Sequence, residues 1–450
     1  MLTSSRAVLC PADAAVTPRC LIQFFYQNTA GDPRFMEFEI LCESFYEALR
    51  SSMPLALATD MQLESLWSGG LTVSLDSEPK RPPVTRHIDS KCTVANMIEE
   101  GFSRASQPVA LDSVPHFTNP LEGDALATLD VVYMADGVGL CLSFSHAAVD
   151  LGACVRFCQE WGARARSMYT LSGGAAYQPA ELNTDRTWFW EAITAQPAQI
   201  EREFDKHIAE LAAAAAAQEP EARETSAAQP NETGDINPVY RIEISAAAVG
   251  EIGEARHKAA PGVTIPSLLS AVLWRAITQA HPAARYTYFG LSLTVRTNPQ
   301  FAEYWGNTAT MKYLYAETSA FAAMDIAAIA RMVQACADEF TLAEFVHILE
   351  SFTANAEYSD TLARFVSSGR APRLAISNIS RAPAYSVDFG FGPPTKVCYP
   401  PSVPAGLVIF FPSSKAGGID IYLRASDAEI QQIASDSLLK DRIVTVAYDR

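Results

Sequence analysis

Hydrophobic residues are grouped in two short neighbouring stretches in the first third of the chain. Residues 131–134 and 140–145 are rich in apolar side chains, and the turn-forming residues 135–139 separate them. This pattern predicts two strands joined by a tight connection. From Leu151 to Ala165 the apolar residues recur at helical spacing, so we expect the second strand to lead directly into an amphipathic helix.

The junction of this strand with this helix carries candidate chemistry. By the period-two rule His146 lies at the exit of the strand's apolar face, and Asp150 lies where the helix begins, a position that favours a carboxylate. An imidazole with its ordinary pKa of about 6.5 suits proton transfer near neutral pH. Taken alone, however, HxxxD favours a core histidine at position 146, and Asp150 could be only a helix cap.

The second half of the chain repeats the mixture of strands and helices. Residues 239–244 alternate like a strand, and residues 264–275 predict a capped helix with proline in its first turn. Residues 206–237 are first alanine-rich and then polar and acidic, which is typical of a connector. We therefore expect two α/β domains, over 1–205 and 238–450.

Charge and cysteine usage narrow the possible partners. Thirty-four basic and 51 acidic residues give a formal net charge of −17, which opposes binding to nucleic acid or to an anionic membrane. Nine scattered cysteines without a CxxC pair, and an N-terminus without a signal-peptide pattern, predict a cytoplasmic chain. Cys154 and Cys158 share a helix face near His146, but packed helix residues explain them better than a metal site.

An ordered set of motifs resembles the BAHD acyl-CoA-dependent acyltransferases. The chain has HxxxD at 146–150, Val-Arg at 295–296, Tyr-Trp-Gly-Asn at 304–307, Ser-Asn-Ile-Ser-Arg at 377–381 and Asp-Phe-Gly-Phe-Gly at 388–392. This order is that of the family, whose last motif is usually DFGWG. The alanine-rich connector and the spacing look similar to fungal-type, trichothecene-acetyltransferase-like members.

The resemblance implies a fold and an activity. The fold would be α/β, with two chloramphenicol-acetyltransferase-like domains whose mixed sheets surround a central tunnel, and with the segment 372–397 returning to the first domain. The activity would be transfer of an acyl group, acetyl being the commonest in the family, from acyl-CoA to a hydroxyl or amine of a small secondary metabolite. The resemblance further implies a monomer with acyl-CoA as co-substrate and no resident cofactor.

Roles for individual residues follow from the same resemblance. His146 would be the general base, and Asp150 would shape the site by pairing with Arg296. Ile379, which stands where many plant members carry tryptophan, would line the acceptor pocket. The residues expected to contact coenzyme A are Ser377, Asn378, Arg381 and Lys396.

The segment 388–392 could be interpreted as a catalytic motif, but its composition favours a structural role. Two glycines at alternating positions permit a bend, and the phenylalanines between them supply packing. We therefore predict a structural loop made by Asp388, Phe389, Gly390, Phe391 and Gly392.

Two other functions fit parts of the pattern. A free-standing condensation-like enzyme would take its donor from a carrier protein, but its usual motif has two adjacent histidines, whereas Ser145 precedes His146. A related fold used for isomerisation, cyclisation or binding is favoured only by Leu151, which separates Asp150 from Gly152 where the family usually places glycine directly.

Overall fold

A computed structural model gives the structure of the chain. The residues that it describes are 5–8, 19–53, 60–62, 72–75, 81–113, 125–146, 148–169, 183–195, 237–354, 373–400 and 403–447. The predicted connector, apart from its last residue, lies outside them.

The described ranges contain strands and helices from both halves of the chain. The strands are β1 (Ser5–Val8), β2 (Arg19–Gln27), β3 (Asp60–Gln62), β4 (Thr72–Leu75), β5 (Val84–Asp89), β6 (Ala127–Met134), β7 (Gly137–Ser145), β8 (Val239–Ile244), β9 (Tyr286–Thr294), β10 (Ala309–Glu317), β11 (Arg373–Asn378), β12 (Lys396–Cys398), β13 (Leu407–Pro412), β14 (Ile419–Arg424) and β15 (Ile443–Ala447). The α-helices are α1 (Phe38–Ser52), α2 (Val94–Glu99), α3 (Leu151–Tyr169), α4 (Arg186–Thr194), α5 (Ala246–Ala259), α6 (Ile265–Ala280), α7 (Thr318–Ala322), α8 (Ile326–Asp338), α9 (Leu342–Ala354) and α10 (Asp427–Ser435).

A five-stranded sheet in the order β12-β2-β7-β6-β5 organises the first half. The predicted hairpin is present as β6 and β7, which pair antiparallel, and β2 pairs antiparallel with the other side of β7. Every residue of β7 is buried, because α1 and α3 pack on one face of the sheet and α2 packs on the other. His146 therefore follows a strand that is covered on both faces.

A seven-stranded sheet in the order β10-β9-β11-β13-β14-β8-β15 organises the second half. β11 runs parallel to both β9 and β13, whereas the other pairs are antiparallel. Leu374 and Ile376 of β11 pack in the core between this sheet and its helices. Within the segment 372–397, β11 therefore belongs to the larger sheet, whereas the residues from Ile379 onward pack against the core of the smaller sheet, which β12 joins as a strand.

The α/β class with two mixed sheets, predicted from the sequence, is confirmed. Helices α6, α8 and α10 pack together over the larger sheet, and β1, β3 and β4 form a small third sheet. In the part of the chain that the structure describes, no helix combines the length and the apolar character needed to cross a bilayer.

Candidate active site

His146 lies in the turn between β7 and α3 and is held by the other half of the chain. Its Nδ1 is 3.1 Å from Oδ1 of Asn307, and Nδ2 of Asn307 donates to the His146 carbonyl oxygen at 2.6 Å. Asn307 is fully buried and belongs to the segment between β9 and β10. The second half thus holds both the side chain and the backbone of this histidine.

The two hydrogen bonds between Asn307 and His146 determine the tautomer of the imidazole. Because Nδ2 of Asn307 donates to a carbonyl, its Oδ1 faces the ring, and an amide oxygen only accepts. Nδ1 of His146 therefore carries the proton in the neutral ring, and Nε2 keeps its lone pair. This is the arrangement that a general base requires.

Asp150 acts both as a helix cap and as an ion-pair partner. Its Oδ1 accepts from the backbone N–H of Ala153 at 2.8 Å, in the first turn of α3. Its Oδ2 accepts from Nη2 of Arg296 at 2.7 Å and from the N–H and hydroxyl of Thr308 at 3.1 and 2.9 Å. The pairing of Asp150 with Arg296 is the one that the resemblance implied.

These contacts keep Asp150 ionised and turned away from the imidazole. Burial raises the pKa of the carboxyl, but the Arg296 charge and the hydrogen bonds from Ala153 and Thr308 outweigh burial, so the pKa is lowered. Both carboxylate oxygens are engaged outside the imidazole, and the contact that orients the ring comes from Asn307 instead.

Arg296 ties the loop between β9 and β10 into one unit. It lies in the short 3-10 helix Val295–Thr297, and its guanidinium donates to the carbonyls of Tyr304 and Gly306 as well as to Asp150. The Val-Arg and Tyr-Trp-Gly-Asn motifs, separate in sequence, therefore form a single clamp that carries Asn307.

The residue inserted after Asp150 does not disturb the start of α3. The helix begins at Leu151, and a Cβ on Gly152 would lie 3.3 Å from Oδ1 of Asp150 and 3.8 Å from Nε of Arg296. Glycine at this position leaves space for the ion pair beside the helix. The departure from the family spacing is thus compatible with the capped and paired Asp150.

A cysteine not singled out from the sequence lies beside the histidine. Cys20 in β2 pairs in register with Phe144 of β7, and its Sγ donates to the Val149 carbonyl at 3.5 Å. The charge of the same thiol is also felt by the neighbouring His146 and Cys154 side chains. No local sequence motif indicated this, because Cys20 stands far from the HxxxD segment along the chain.

The contact between Cys20 and His146 changes the ionisation of both groups. Burial lowers the pKa of His146, but the charge of Cys20 and its hydrogen bond, followed by the residue's own carbonyl and Asp150, raise the pKa to about 9. Burial raises the pKa of Cys20, whereas Cys154 and His146 lower it to about 6. The pKa of His146 is thus raised above the ordinary imidazole value from which the sequence-based expectation started.

The loop 388–392 forms a tight turn. Oδ1 of Asp388 accepts from the N–H groups of Gly390 and Gly392 at 2.7 and 2.9 Å. Both glycines have positive φ, +104° and +96°, which side-chain-bearing residues rarely adopt. These contacts agree with an architectural function for the loop.

Aromatic packing joins this loop to α3. Phe389 is buried, and its ring centroid lies 4.5 Å from that of Trp161, while Phe391 packs against Phe35 and Tyr169. Trp161 is about 16 Å along the helix from Asp150, at 1.5 Å per residue. The loop therefore supports the helix that Asp150 caps and does not approach the imidazole.

Replacing Gly162 by alanine should test this support. A Cβ on Gly162 in α3 would lie 2.8 Å from the Asp388 carbonyl oxygen, so the loop or the helix must shift. We expect the free energy of unfolding in urea to fall by about 1–3 kcal/mol. The matched control is Gly250→Ala in α5, where a Cβ meets nothing within 4 Å; it should be neutral or stabilising. Equal effects of the two substitutions would contradict the close contact.

Two of the residues expected to contact coenzyme A lie on the edge of the larger sheet that carries Arg296. Ser377 and Asn378 end β11, which is parallel to β9, and the ends of parallel strands meet at one edge of a sheet. β9 ends at Thr294 and leads into Arg296. Ser377 is half-buried and Asn378 is exposed.

A cavity of about 510 Å³ lies beyond this edge. Its lining includes Ser380, Tyr385, Asp388 and Lys415. Arg381 is exposed and follows Ser380 directly, and Lys415 is exposed in the turn between β13 and β14. Two cations therefore lie at or beside this cavity.

Ile379 and Lys396, the other residues expected to contact a substrate, pack against protein groups. Ile379 is half-buried and packs against the core of the smaller sheet. Lys396 is almost fully buried and donates to Oδ2 of Asp420 at 2.6 Å and to the Ser413 carbonyl at 2.9 Å. Because this ammonium neutralises the buried carboxylate of Asp420, Lys396 is not available to a phosphate of coenzyme A.

Cys154 and Cys158 are both fully buried in α3. Within the described ranges, no group of three or more His, Cys, Asp or Glu side chains is arranged to hold a metal ion.

Comparison with known sequences identifies a family match. A family model described as the Transferase family matches residues 106–439, more than half of the chain. No curated protein matches the chain.

Several solved structures share the fold. F. graminearum TRI101 in complex with ethyl coenzyme A has a TM-score of 0.71 at 16% identity, covering 98% of this chain and 100% of its own. Vinorine synthase has a TM-score of 0.59 at 12% identity, covering 96% and 92%. The first condensation domain of the CDA synthetase has a TM-score of 0.57 at 13% identity, covering 97% and 94%. At these identities the likeness shows the fold alone, and it confirms the predicted fold class.

Proposed function

This chain belongs to the Transferase family of BAHD acyltransferases, and on that premise we propose that it transfers an acyl group from acyl-CoA to a hydroxyl or amine of a small molecule. The observation that carries the proposal is the clamp of Asn307 on His146, which leaves Nε2 free to act as a base. TRI101 was solved with coenzyme A together with T-2 mycotoxin or deoxynivalenol, which supports a hydroxylated small molecule as acceptor. We propose acetyl as the acyl group, by family frequency.

The proposed reaction needs no nucleophile from the protein. Nε2 of His146 takes the proton from the acceptor hydroxyl or amine while the acceptor oxygen or nitrogen attacks the thioester carbonyl carbon. The tetrahedral intermediate then collapses, the carbon–sulfur bond breaks, and the imidazolium protonates the departing coenzyme A thiolate. Holding both substrates beside one base supplies the large proximity contribution.

The second half of the chain positions this base. Asn307 holds Nδ1, and Arg296 holds both the Asn307 segment and Asp150 at the start of α3. We propose that Asp150 and Arg296 act by positioning and that neither takes part in proton transfer.

Coenzyme A is proposed to lie along the edge of the larger sheet. Ser377 and Asn378 offer a hydroxyl and an amide to the pantetheine arm, and the adjoining cavity of about 510 Å³ is proposed to take the nucleotide. Phosphates attract cations, so Arg381 and Lys415 are the proposed phosphate contacts. The proposed lysine contact to a phosphate is therefore Lys415 and not Lys396, which was expected from the sequence.

Lys415→Ala should weaken coenzyme A binding without touching the base. We expect KM for acetyl-CoA to rise about 3- to 10-fold with kcat little changed, because one charge-assisted contact to a phosphate is lost at an exposed site. Initial rates against acetyl-CoA concentration would measure it. Lys440→Ala, at another exposed lysine, is the matched control, and an unchanged KM in Lys415→Ala would contradict the assignment.

The acceptor is proposed to meet Ile379. This residue is half-buried beside the smaller sheet's core, and an isoleucine where plant relatives carry tryptophan leaves more volume for the acceptor. The experiment that tests the proposed function, described next, also distinguishes hydroxyl from amine acceptors.

The proposed function is tested by incubating the protein with acetyl-CoA and a panel of small alcohols and amines that includes deoxynivalenol and T-2 mycotoxin. Release of free coenzyme A together with a product heavier by one acetyl group is the expected result. In a parallel arm the donor is an acetylated carrier protein, because a condensation domain shares the fold. Transfer from the carrier protein alone, or a product with unchanged mass, would overturn the proposal.

A further inference from the structure

One face of the β9–β10 ladder, which adjoins the loop that holds the proposed base, carries a group of tyrosines. Strand pairing places Tyr315 opposite Tyr288 and Tyr313 opposite Gly290, and side chains two residues apart share a face of a strand. The Tyr288 and Tyr315 ring centroids lie 6.4 Å apart, and that of Tyr286 lies 6.5 Å from Tyr288. The two strands therefore present an aromatic wall, made of Tyr286, Tyr288, Tyr313 and Tyr315.

The aromatic wall lies on the face of the larger sheet that points toward the first half of the chain. In β11, Ala375 pairs with Gly290 on one side and with Leu407 of β13 on the other, so these three residues share a face. Two residues further along β13, Ile409 is buried in the core that also contains Val149, next to the histidine turn. The wall is therefore on the same side of the larger sheet as the turn that carries the base.

The wall is more accessible than the rest of this face. Ile409 and Phe411 are 3% and 0% exposed, because they pack in the core of the smaller sheet. Met311, Tyr313 and Tyr315 are each half-buried. The rings of β10 therefore keep surface that a ligand can reach.

Gly290 determines the shape of the wall at its centre. A Cβ at this position would lie 3.0 Å from Cε1 of Tyr313 and 3.1 Å from Sδ of Met311. The Tyr313 ring and the Met311 thioether therefore lie close against the strand backbone. Within 288–292 and 311–315, the side chains on this face carry no charge, so the wall fits a neutral and flat ligand.

The distance from the base to the wall sets the size of such a ligand. Asn307 contacts His146, and β10 begins two residues later, at Ala309. Met311 and Tyr313 then lie about 7 and 14 Å along the strand, at about 3.4 Å per residue. A ligand whose hydroxyl reaches the imidazole must therefore extend over more than one ring to contact Tyr313.

We propose that this face binds the acceptor and selects a neutral compound of several fused aromatic rings, stacked on Tyr313 with its hydroxyl directed to His146. The inference rests on the proposed acyl transfer for the identity of the ligand as acceptor. Ile379, the acceptor contact proposed above, follows β11, the strand next to β9. Tyr313 is thus a specificity-determining residue and takes no part in proton transfer.

Binding to the wall can be measured without turnover, by equilibrium dialysis of the full-length protein. The two probes are 2-anthracenol and its fully saturated analogue, which have the same three-ring carbon skeleton and one hydroxyl. The first is flat and aromatic, whereas the second is puckered. The wild type should bind 2-anthracenol about 2- to 10-fold more tightly, which is the contribution of one aromatic pair beyond its buried area.

Variants at position 313 make this measurement specific. Tyr313→Leu keeps an apolar side chain without a ring and should lose the preference for the aromatic probe, whereas Tyr313→Phe should retain it. Tyr46→Leu, at a half-buried tyrosine of α1, is the matched control and should leave both affinities unchanged. Tyr315→Leu, on the same face, replaces Tyr313→Leu should that variant fail to fold.

Two results of the binding experiment would overturn the proposal. One is an equal preference for the aromatic probe in the wild type and in Tyr313→Leu, or none in the wild type. The other is self-association of the wild type that Tyr313→Leu abolishes in sedimentation velocity, since the face would then contact a second copy of the chain.

Turnover separates this inference from the proposed function. With acetyl-CoA as donor, KM for 2-anthracenol should rise about 2- to 10-fold in Tyr313→Leu, and also in Gly290→Ala, whose added Cβ displaces the Tyr313 ring. KM for acetyl-CoA should stay unchanged. Acetylation of deoxynivalenol and of the saturated alcohol, but not of 2-anthracenol, would overturn the ligand class and leave acyl transfer intact. Binding of 2-anthracenol without release of coenzyme A from any acceptor would count against acyl transfer, while the dialysis would still decide the preference of the wall.

Discussion

Replacing His146 by alanine should lower kcat for acyl transfer about 10²- to 10⁴-fold, the usual contribution of a positioned general base. The reason is structural as well as chemical. Asn307 keeps the proton on Nδ1, so Nε2 is the proton acceptor. Coenzyme A release and product formation would be followed together under saturating acetyl-CoA.

Controls must separate loss of the base from loss of structure. His281→Ala alters an exposed histidine that contacts Glu429 in the second half and should leave kcat unchanged. His146→Gln keeps an amide nitrogen near Asn307 but has no basic group, so it should be as inactive as alanine. Turnover in either His146 variant within a factor of about three of the wild type would remove the base from the proposed mechanism.

Removing Arg296 should have the largest effect on stability. Arg296→Ala leaves the buried carboxylate of Asp150 without its ion-pair partner, and breaking such a pair costs about 3–5 kcal/mol. The side chains of Arg296 and Asp150 are 16% and 9% exposed, so solvent screens them little. Urea unfolding followed by circular dichroism would measure the loss, and kcat should fall as well because the same guanidinium holds the Asn307 segment.

A double-mutant cycle with Asp150→Asn would isolate the pair. The double variant should be less destabilised than the sum of the two single changes, because each single change already breaks the interaction. Arg50→Ala is a suitable control, since its ion pair with Glu47 on α1 is exposed and should contribute less than about 1 kcal/mol. Additive effects of Arg296→Ala and Asp150→Asn would contradict a coupled pair.

The stability contributed by Asp150 should also depend on pH. Its folded pKa lies below the ordinary value, so the contribution is present above the unfolded pKa of about 3.9 and is lost as pH falls through the folded value. Arg296→Ala should weaken this dependence because the guanidinium is the largest influence that lowers the pKa.

The geometry of the catalytic base depends on the packing of the two halves of the chain against each other. Arg296, Asn307 and Thr308, in the loop between β9 and β10, all form hydrogen bonds with residues of the first half. A change that loosens this loop should therefore impair the base even where it touches neither substrate. In physical terms the active base is a property of the assembled molecule and not of the HxxxD motif.

The local pattern of apolar and polar residues was sufficient to predict the strands and the helix that carry the HxxxD motif. The β6–β7 hairpin and the start of α3 at Leu151 follow from periods of two and 3.6 residues, which depend only on near neighbours. The glycines of 388–392 likewise predicted a bend, because positive φ is a property of single residues.

Only the tertiary structure decided which side chains complete the site. Asn307 meets His146 across 161 residues of chain, and Cys20 meets the same turn by a strand register that periodicity does not specify. Lys396 has the charge that a phosphate contact requires, yet it forms an ion pair with the buried Asp420. Contacts of this kind depend on how distant segments pack, and packing is set by the whole core, so the residues beside the base could not be identified from local sequence.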